Sequence, residues 1–369
     1  MQIDAAVVRE EGGAFKIESV ELDDPKPDEV LIDIAAAGVC HTDISVRDQY
    51  YPTPLPAVLG HEGSGVVREV GRNVTNVESG DHVVASFDYD GTCKNCHEGD
   101  VALCDEFFAH NFAGQRTEDG SSPLSKDGER LSGMFFGQSS FATQALAKEQ
   151  NVVKVPDDAP LELLGPLGCG VQTGAGGVIN SLDPQAGSSI VIFGAGSVGL
   201  SALLGAKLKG CSEIVLVDLQ DGRLDKADEL GATATFNPEA IEDIVEEIQE
   251  HLGGGVDYSL ETTGQPVVFR QATEVLRQGG TCGVIGAPPL GTEVSLDVNT
   301  ILFGRTVKGI IEGNSHPKEF IPDLVDLHLK GRFPFDEFVT FYEFEEIDQA
   351  VADSEDGSVI KPVVRMDGE

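Results

Sequence analysis

A glycine-rich segment in the middle of the chain constrains its fold more than any other feature. Gly194-Ala195-Gly196-Ser197-Val198-Gly199 follows a short apolar run at 189–193 and precedes a helix-like run at 200–208. In this setting the first glycine permits a tight turn, the second lets the backbone approach a pyrophosphate, and the third allows close helix–strand packing. Ser197 and Val198 would open a helix whose free N–H groups bind phosphate. The segment therefore predicts a dinucleotide-binding α/β unit.

The chain is predicted to form two domains, because 369 residues exceed what a single hydrophobic core usually organises. Residues 1–90 alternate short apolar runs with turns, which indicates a mostly β domain. From about Val171, strand-like and helix-like runs alternate, which predicts a doubly wound parallel sheet. We therefore predict an α/β protein in which 1–170 and 314–369 form the mostly β domain and 171–313 form the Rossmann domain. The polar stretch 111–133 is expected to be an excursion near a substrate cleft or a subunit contact.

Three residues far apart in the sequence have the character of one metal site. Cys40, His61 and Cys169 each lie among glycines or polar residues, and all three precede the glycine segment. Any one of them alone would more often be an ordinary core residue. Together, two thiolates and one imidazole leave the fourth tetrahedral position open, which is typical of catalytic zinc and is the ligand set of alcohol dehydrogenase. We therefore predict a catalytic zinc on these residues, beside a nicotinamide cofactor.

Residues beside these ligands are candidates for the chemistry of alcohol oxidation. A zinc ion acts as a Lewis acid that makes an alkoxide accessible near neutral pH, and an alkoxide gives up hydride readily. The hydroxyl of Thr42 could take the proton of the alcohol. Asp43 is a candidate for orienting His61, and Glu62 is expected to lie behind the metal and to assist ligand exchange.

The cofactor is predicted to be NAD rather than NADP. Asp218 ends the next strand-like run, 24 residues beyond Gly194. A carboxylate there accepts hydrogen bonds from the adenosine ribose and repels a 2′-phosphate. Arg223 is near enough to bind a phosphate, but we expect it to be an ordinary arginine on the helix surface. Ile285, at the end of the run 281–285, is also expected to contact the cofactor.

A second cysteine cluster suggests a structural zinc lobe. Cys93, Cys96 and Cys104 are one ligand short of a closed site, and Asp90 stands at the interval of a fourth ligand, giving D-x₂-C-x₂-C-x₇-C. An aspartate oxygen is an acceptable zinc ligand. His97 is a rival fourth ligand, although its place directly after Cys96 makes joint coordination awkward. A lobe without metal is the remaining alternative.

Charge and composition restrict the partners and the environment. The chain carries 63 acidic and 25 basic residues, a net charge of −38, which disfavours binding to nucleic acid or to anionic membranes. A charge of this size favours a halophilic host, with an acidic mesophilic protein as the alternative. The seven cysteines suit metal thiolates in a reducing compartment, and the N-terminus lacks signal-peptide features. We therefore expect a cytoplasmic protein.

The motifs resemble those of the zinc-dependent medium-chain alcohol dehydrogenases over essentially the whole length. The segments 40–43, 135–141 and 309–314 are most similar to the aryl-alcohol (benzyl-alcohol) dehydrogenase branch. The resemblance implies a GroES-like catalytic domain joined to a Rossmann domain, and a homodimer or homotetramer sealed near 294–311. It also implies that Thr173 contacts the nicotinamide, that His41 lies near the pyrophosphate, and that Lys361 contacts a phosphate.

This sequence departs from the family pattern at two positions. Asp90 stands where the structural zinc usually has its first cysteine. Ser45 stands where many members carry the histidine that ends the proton relay, so the relay is expected to run through Ser45 and water or directly from Thr42.

The predicted function is reversible oxidation of a primary alcohol, with an aryl or benzyl preference, to its aldehyde by NAD. Phe87, Phe108 and Phe136 are candidates for an apolar wall, although burial in a core is an equally common fate of phenylalanine. One alternative is a thiol-adduct formaldehyde dehydrogenase of the same family, which would need a basic pocket. Another is a non-catalytic dinucleotide-binding protein. A polyol dehydrogenase is disfavoured, because such enzymes usually place a carboxylate at the position of Cys169.

Overall fold

The computed structural model describes residues 1–366, and the chain divides into two compact units. Met1–Cys169 and the chain from His316 onward form unit 1, whereas Gly170–Ser315 form unit 2. These limits lie beside the predicted ones at 170/171 and 313/314. No helix among residues 1–366 is long and apolar enough to cross a membrane.

Strands and helices follow one another along the whole chain. The strands are β1 Gln2–Val8, β2 Lys16–Leu22, β3 Glu29–Gly38, β4 Ala57–Val58, β5 Gly63–Val70, β6 His82–Ala85, β7 Leu124–Lys126, β8 Glu129–Leu131, β9 Gln144–Lys148, β10 Val152–Lys154, β11 Ser189–Phe193, β12 Glu213–Val217, β13 Ala234–Phe236, β14 Val256–Glu261, β15 Leu276–Val284, β16 Thr306–Gly309, β17 Val339–Glu343 and β18 Lys361–Arg365. The α-helices are α1 His41–Arg47, α2 Lys94–Glu98, α3 Phe107–Phe112, α4 Leu161–Leu164, α5 Gly170–Gly176, α6 Ser197–Lys209, α7 Asp221–Leu230, α8 Ile244–Leu252, α9 Pro266–Glu274, α10 Val298–Leu302, α11 Pro317–Leu329 and α12 Ile347–Asp356.

Unit 1 is built on two sheets whose strands are mostly antiparallel. One has the order β4-β1-β2-β7-β8, and the other has the order β10-β6-β5-β3-β18-β17, with β9 also paired to β3. Nearly every residue of β3 is buried, as its apolar run Val30-Leu31-Ile32 predicts for a central strand. β18 pairs antiparallel with β3, with Val363 opposite Gly38. The last segment of the chain therefore returns to unit 1, and β18 carries Lys361 to the region of the metal site.

The polar stretch 111–133 contains more regular structure than the sequence analysis expected. It contributes the hairpin of β7 and β8, which extends the first sheet through pairing of Leu22 with Leu124. Arg116 fastens this stretch to β3, because its guanidinium donates to both carboxylate oxygens of Glu29 at 2.6 and 3.0 Å. Both side chains are buried, so the charges compensate each other within the core.

Unit 2 is a doubly wound sheet, as predicted. Its six strands have the order β13-β12-β11-β14-β15-β16, and all neighbouring pairs are parallel. The order reverses between β11 and β14, and ligands of such sheets bind at the carboxyl ends of the strands at this switch point. Alternate residues of β11 (Val191 and Phe193) and of β12 (Val215 and Val217) pack in one buried core together with residues of α8 and α9.

Candidate active site

The structure brings the three predicted catalytic zinc ligands together in unit 1. Donor atoms of Cys40, His61, Glu62 and Cys169 all lie within 4.8 Å of one another. Each comes from the end of an element. Cys40 lies between β3 and α1, His61 and Glu62 directly precede β5, and Cys169 ends the turn before α5. Cys40 and the His61–Glu62 pair therefore lie beside the paired strands β3 and β5.

The imidazole of His61 contacts Asp43, the residue predicted to orient it. Nδ1 of His61 lies 2.9 Å from Oδ1 of Asp43, and neither side chain is exposed. A proton on Nδ1 leaves Nε2 with a free lone pair, and this buried atom has no hydrogen-bond partner among residues 1–366. A buried imidazole nitrogen in this state is suited to bind a metal ion, because the carboxylate sets both its tautomer and its direction.

The thiols are also suited to metal binding. The neighbouring Cys169 thiol and, more weakly, His61 hold the pKa of Cys40 well below its ordinary value, against the opposing influence of burial. A low thiol pKa favours the thiolate, which is the form that binds metal. Two thiolates and one imidazole with an orphaned nitrogen fit a zinc ion of the catalytic type.

Glu62 and Lys361 form a buried ion pair beside these ligands. Oε2 of Glu62 lies 2.5 Å from Nζ of Lys361, which also donates to the carbonyl of Val39 at 3.0 Å. Burial raises the pKa of Glu62 to about 7, although the ammonium of Lys361 opposes this shift. The place of Glu62 beside the ligands agrees with the sequence analysis. Lys361 is only 1% exposed, and the phosphate contact expected for it stays a prediction.

The two relay candidates lie on one helix. Oγ1 of Thr42 is 3.8 Å from Sγ of Cys40, so this hydroxyl reaches the ligand group directly. Ser45 follows three residues later in α1, hence on the same face, and is buried. His41, at the start of the same helix, is exposed.

An aromatic cluster packs against His61. The ring centroid of Phe136 lies 4.5 Å from that of His61, and the rings of Phe107, Phe112 and Phe135 lie 4.9–6.1 Å from Phe136. Among the predicted wall residues, Phe136 is therefore central, whereas Phe87 is completely buried and Phe108 is 57% exposed. The other three were not predicted from the sequence, although the adjacent phenylalanines at 107–108 and 135–136 are a usable signal.

Phe136 adopts a backbone conformation that bulky side chains rarely adopt. Its φ is 49° and its ψ is 36°, in the left-handed region. Such a residue costs on the order of 1–3 kcal/mol, and strain of this kind concentrates at functional sites. The strain therefore marks the turn that carries Phe136 to His61 as part of the site.

The glycine segment has the geometry that a pyrophosphate requires. Gly194 has a φ of 100°, and a Cβ atom on it would lie 2.4 Å from Oγ1 of Thr262. A Cβ atom on Gly199 would lie 1.8 Å from the carbonyl oxygen of Gly194, so close packing excludes any side chain there. Gly196 caps α6 and faces open space, while Ser197 and Val198 form the first turn of that helix. A bound anion can therefore approach the helix N-terminus.

Asp218 and Arg223 lie beside this segment. Oδ2 of Asp218 accepts a hydrogen bond from the backbone N–H of Ala195 at 2.6 Å, and Oδ1 accepts one from Gln220. The carboxylate is thus fixed at the end of β12, on the adenosine side of the switch point. Arg223 lies on α7, and its buried Nε has no hydrogen-bond partner within the described part of the chain.

Unit 2 carries two further residues expected at the cofactor. Thr173 lies on α5, and its hydroxyl donates to Oε2 of Glu312 at 3.3 Å. Ile285 follows β15, and its N–H donates to the carbonyl of Glu261. Glu312, a buried carboxylate with a left-handed φ of 48°, was not predicted from the sequence.

The second cysteine cluster also assembles in unit 1. Donor atoms of Asp90, Cys93, Cys96 and Cys104 lie within 4.8 Å of one another, whereas His97 is exposed. Oδ1 of Asp90 accepts hydrogen bonds from the N–H groups of Cys93 and Thr92, which lower the pKa of this carboxyl to about 2. Asp90 is therefore an anion that faces three thiols, and this set fits a structural zinc ion.

Two protein families match the two halves of the sequence. Residues 26–157 match the alcohol dehydrogenase GroES-like domain, and residues 197–329 match the zinc-binding dehydrogenase domain. The chain is 48% identical over 361 residues to the geraniol dehydrogenase of Castellaniella defragrans, which covers 98% of this chain and 96% of that protein.

Two solved structures are similar over the full length of both chains. The alcohol dehydrogenase zinc-binding domain protein from Burkholderia ambifaria has a TM-score of 0.97 at 53% identity. The benzyl alcohol dehydrogenase from Acinetobacter calcoaceticus has a TM-score of 0.96 at 49% identity. With the thiol–imidazole cluster and the glycine segment in place, these similarities lead to one conclusion. The chain belongs to the zinc-dependent medium-chain alcohol dehydrogenase family, and is an alcohol oxidoreductase with Zn²⁺ and NAD as its cofactors.

Proposed function

We propose that this enzyme oxidises primary alcohols of the aryl type to aldehydes, reversibly, with NAD. The observation that carries this proposal is the packing of Phe136 on His61, with ring centroids 4.5 Å apart. Phe107, Phe112 and Phe135 surround Phe136, and Phe135 also packs edge-on against His61 at 5.4 Å. A substrate oxygen held beside His61 would leave the rest of the substrate against these rings.

An aromatic substrate gains the most from such a surface. Offset or edge-to-face ring pairs contribute about 0.5–1.5 kcal/mol beyond the burial of apolar area. A short alkyl chain such as that of ethanol covers less of the surface and forms no ring pair. We therefore expect the preference for an aryl alcohol to appear in kcat/KM, because that ratio measures binding in the transition state.

The names of two relatives support a substrate of this kind. Geraniol and benzyl alcohol, named for two of them, are both primary alcohols whose reacting carbon is next to an unsaturated carbon. An allylic alcohol of the geraniol type is therefore the second candidate substrate. Its flat double bond could lie on the same rings.

The roles of the residues at the site follow from their contacts. We propose Cys40, His61 and Cys169 as the ligands of the catalytic zinc, which supplies Lewis acidity to the alcohol oxygen when bound. Thr42 accepts the proton of the alcohol, and Ser45, on the same face of α1, passes it onward through water. Asp43 holds His61 in the ligating tautomer, through the contact of 2.9 Å.

We propose a second, structural zinc on Asp90, Cys93, Cys96 and Cys104. The backbone hydrogen bonds that lower the pKa of Asp90 to about 2 keep this carboxyl ionised at neutral pH. The negative charge of the Asp90 carboxylate would balance the charge of the metal ion in place of the usual thiolate.

We further propose that two or four copies of the chain associate through the edge of the unit 2 sheet. Strand β16 forms this edge, and α10 precedes it. Val298, Leu302 and Phe303 there are each more than 60% exposed. An exposed apolar patch beside a free sheet edge favours pairing with a second copy. The molar mass in solution, measured by light scattering, tests this proposal.

The substrate proposal is tested by NADH formation with benzyl alcohol, geraniol, ethanol and a polyol. We expect kcat/KM to be highest for benzyl alcohol. Phe136→Leu should reduce kcat/KM for benzyl alcohol about tenfold, the equivalent of one ring pair, and should change it little for ethanol. Phe335→Leu is a matched control, because Phe335 is equally buried in unit 1 but contacts His328 and Phe333 instead.

Equal losses for both alcohols in the Phe136 variant would contradict the proposed role of the aromatic cluster. Faster turnover of geraniol than of benzyl alcohol would favour the allylic candidate.

A further inference from the structure

We propose that Gln138 and Ser86 are positioning residues that hold the His61 and Cys169 segments together for the catalytic metal. The proposal rests on the ligand assignment given above. Neither residue reaches the metal or the substrate in this role. Each acts on the backbone that carries a ligand.

Gln138 holds the backbone on both sides of Glu62, directly after His61. Its Oε1 accepts a hydrogen bond from the N–H of Gly63 at 3.0 Å, and its Nε2 donates to the carbonyl of His61 at 2.9 Å. The same Nε2 also donates to the carbonyl of Ser86 at 3.3 Å. The side chain is 1% exposed, so water does not compete for these bonds.

Ser86 continues this connection to the third ligand. Its hydroxyl donates to the carbonyl of Gly168 at 2.7 Å, and Gly168 is the residue before Cys169. Ser86 is completely buried. A continuous series of hydrogen bonds therefore runs from the backbone of His61 through Gln138 and Ser86 to the backbone beside Cys169.

Asp43 makes the corresponding connection to the first ligand. Its Oδ2 accepts from the N–H of Cys40 at 2.9 Å, and its Oδ1 accepts from the N–H of Gly60 at 3.0 Å. The His61 segment is thus joined to Cys40 by a carboxylate and to Cys169 by an amide and a hydroxyl. These two connections fix the relative positions of three segments that are far apart in the sequence.

The local backbone is shaped to bring Gln138 to this place. Phe136 and Ser139 both have a left-handed φ, of 49° and 54°, and the intervening Gly137 has a φ of 64°. The turn is secured by Ser139, whose hydroxyl donates to the carbonyl of Val58 at 2.7 Å. Opposite it, a Cβ atom on Gly63 would lie 2.6 Å from Cβ of Ser140 and 3.0 Å from Oε1 of Gln138. Glycine at position 63 therefore allows this close approach.

Only an amide satisfies both kinds of partner. Gln138 must accept from one N–H and donate to two carbonyls. A glutamate of the same shape can accept but cannot donate when ionised, and a leucine can do neither. Outer groups that orient metal ligands commonly change metal affinity 10- to 100-fold when they are replaced. Gln138→Leu should therefore weaken metal retention by a factor in this range.

The experiment compares zinc release from the purified holoenzyme to a chromogenic chelator, in the wild type and in Gln138→Leu, Gln138→Glu and Ser86→Ala. Cadmium-113 NMR of the cadmium-loaded proteins follows the two metal sites separately, since they differ in thiolate number. We expect release about 10- to 100-fold faster for Gln138→Leu and an intermediate rate for Gln138→Glu. The resonance of the Cys40–His61–Cys169 site should shift while that of the Asp90 site stays in place.

Asn111→Leu is the matched control. Asn111 is also fully buried, and its amide makes three backbone bonds, to the N–H and carbonyl of Asp88 and to the carbonyl of Phe107. It should lower the melting temperature as much as Gln138→Leu but release zinc from the Cys40–His61–Cys169 site at the wild-type rate. Release from Gln138→Leu no faster than from Asn111→Leu would overturn the proposal.

Ser86→Ala provides an independent measurement if Gln138→Leu does not fold. It removes the hydroxyl that donates to Gly168 and keeps the backbone carbonyl that Gln138 contacts. Faster zinc release than from Asn111→Leu supports the proposal, and the wild-type rate contradicts it. Cys40→Ser tests the ligand assignment separately. If that variant keeps the wild-type zinc content and cadmium spectrum, the assignment itself is wrong.

Discussion

The carboxylate of Asp43 lies 2.9 Å from Nδ1 of His61, and both side chains are completely buried. The same carboxylate accepts hydrogen bonds from the N–H groups of Cys40 and Gly60. One side chain therefore sets the tautomer of an imidazole and the distance between two ligand segments. This arrangement makes the metal site sensitive to a residue that does not itself ligate the metal.

Replacement of Asp43 should show this sensitivity. Asp43→Asn keeps the shape but removes the charge and turns one oxygen into a donor, so the ligating tautomer of His61 is no longer favoured. We expect zinc affinity and kcat/KM to fall about 10- to 100-fold. Competition with a chelator and steady-state kinetics measure the two effects. Unchanged zinc affinity in a folded variant would contradict the assigned role of Asp43.

Position 90 decides the occupancy of the second cluster. Asp90→Ala removes one of four convergent donors, so zinc content should fall from about two to about one per chain, and the melting temperature should fall with it. Asp90→Cys supplies a fourth thiolate and should retain two zinc ions against a chelator for longer than the wild type. Elemental analysis and thermal unfolding measure both variants. One zinc ion in the wild type would show that the cluster is empty.

Asp218 should determine the choice between the two dinucleotides. Its carboxylate is fixed on the glycine segment by the bond of 2.6 Å to Ala195. Asp218→Asn removes the charge that repels a 2′-phosphate, so kcat/KM with NADP should rise relative to that with NAD. Arg223 lies on the following helix and could then serve the phosphate. An unchanged ratio of the two kcat/KM values would argue against a role for Asp218 in this choice.

The buried Asp88 should make the stability of unit 1 depend on acid pH. Oδ2 of Asp88 lies 2.8 Å from Nδ1 of His110 and 3.3 Å from Nζ of Lys148. Burial acts to raise the pKa of this carboxyl, but His110 and Lys148 outweigh it and hold the pKa below its ordinary value. The stabilisation is therefore present above about pH 3.9, the ordinary pKa, and is lost as the pH falls through the lower folded value.

Asp88→Asn should remove this stabilisation at neutral pH. We expect the free energy of unfolding to fall by about 2–3 kcal/mol. This loss is smaller than for an isolated buried pair, since Lys148 also contacts Glu118. Denaturant unfolding at neutral pH and near pH 3 measures the difference between the variant and the wild type. That difference should shrink in acid. A constant difference across this range would contradict the assignment.

The net charge of −38 should make stability depend on salt. Raising KCl from about 0.1 M to about 1 M shortens the Debye length from about 10 Å to about 3 Å, which screens repulsion among surface carboxylates. The melting temperature should therefore rise with KCl, as expected for a protein of a halophilic host. Sucrose at matched osmolality is the control, because it leaves the charges unscreened. Equal stability in dilute buffer and in high salt would reject the halophile hypothesis.

The sequence by itself determined the features that depend on neighbouring residues. Gly194, Gly196 and Gly199 specify a strand–turn–helix unit because their spacing acts within six consecutive residues. The alternation of strands and helices from Val171 specified the parallel sheet, because the hydrophobic period is a local property. The residue types of Cys40, His61 and Cys169 indicated a zinc site, because few other chemistries use two thiols and one imidazole with an open position.

Only the tertiary structure decided how distant segments meet. The pairing of β18 with β3 brings Lys361 to Glu62, and this buried ion pair could not be predicted from either stretch of sequence alone. Gln138 lies in a segment that resembles the family, but it had no predicted role, because its contacts are to three backbone groups from other segments. The phenylalanines around Phe136 became a cluster only when α3 packed beside the turn at 135–137. Such contacts depend on strand register and on close packing, and no short stretch of the sequence specifies either of them.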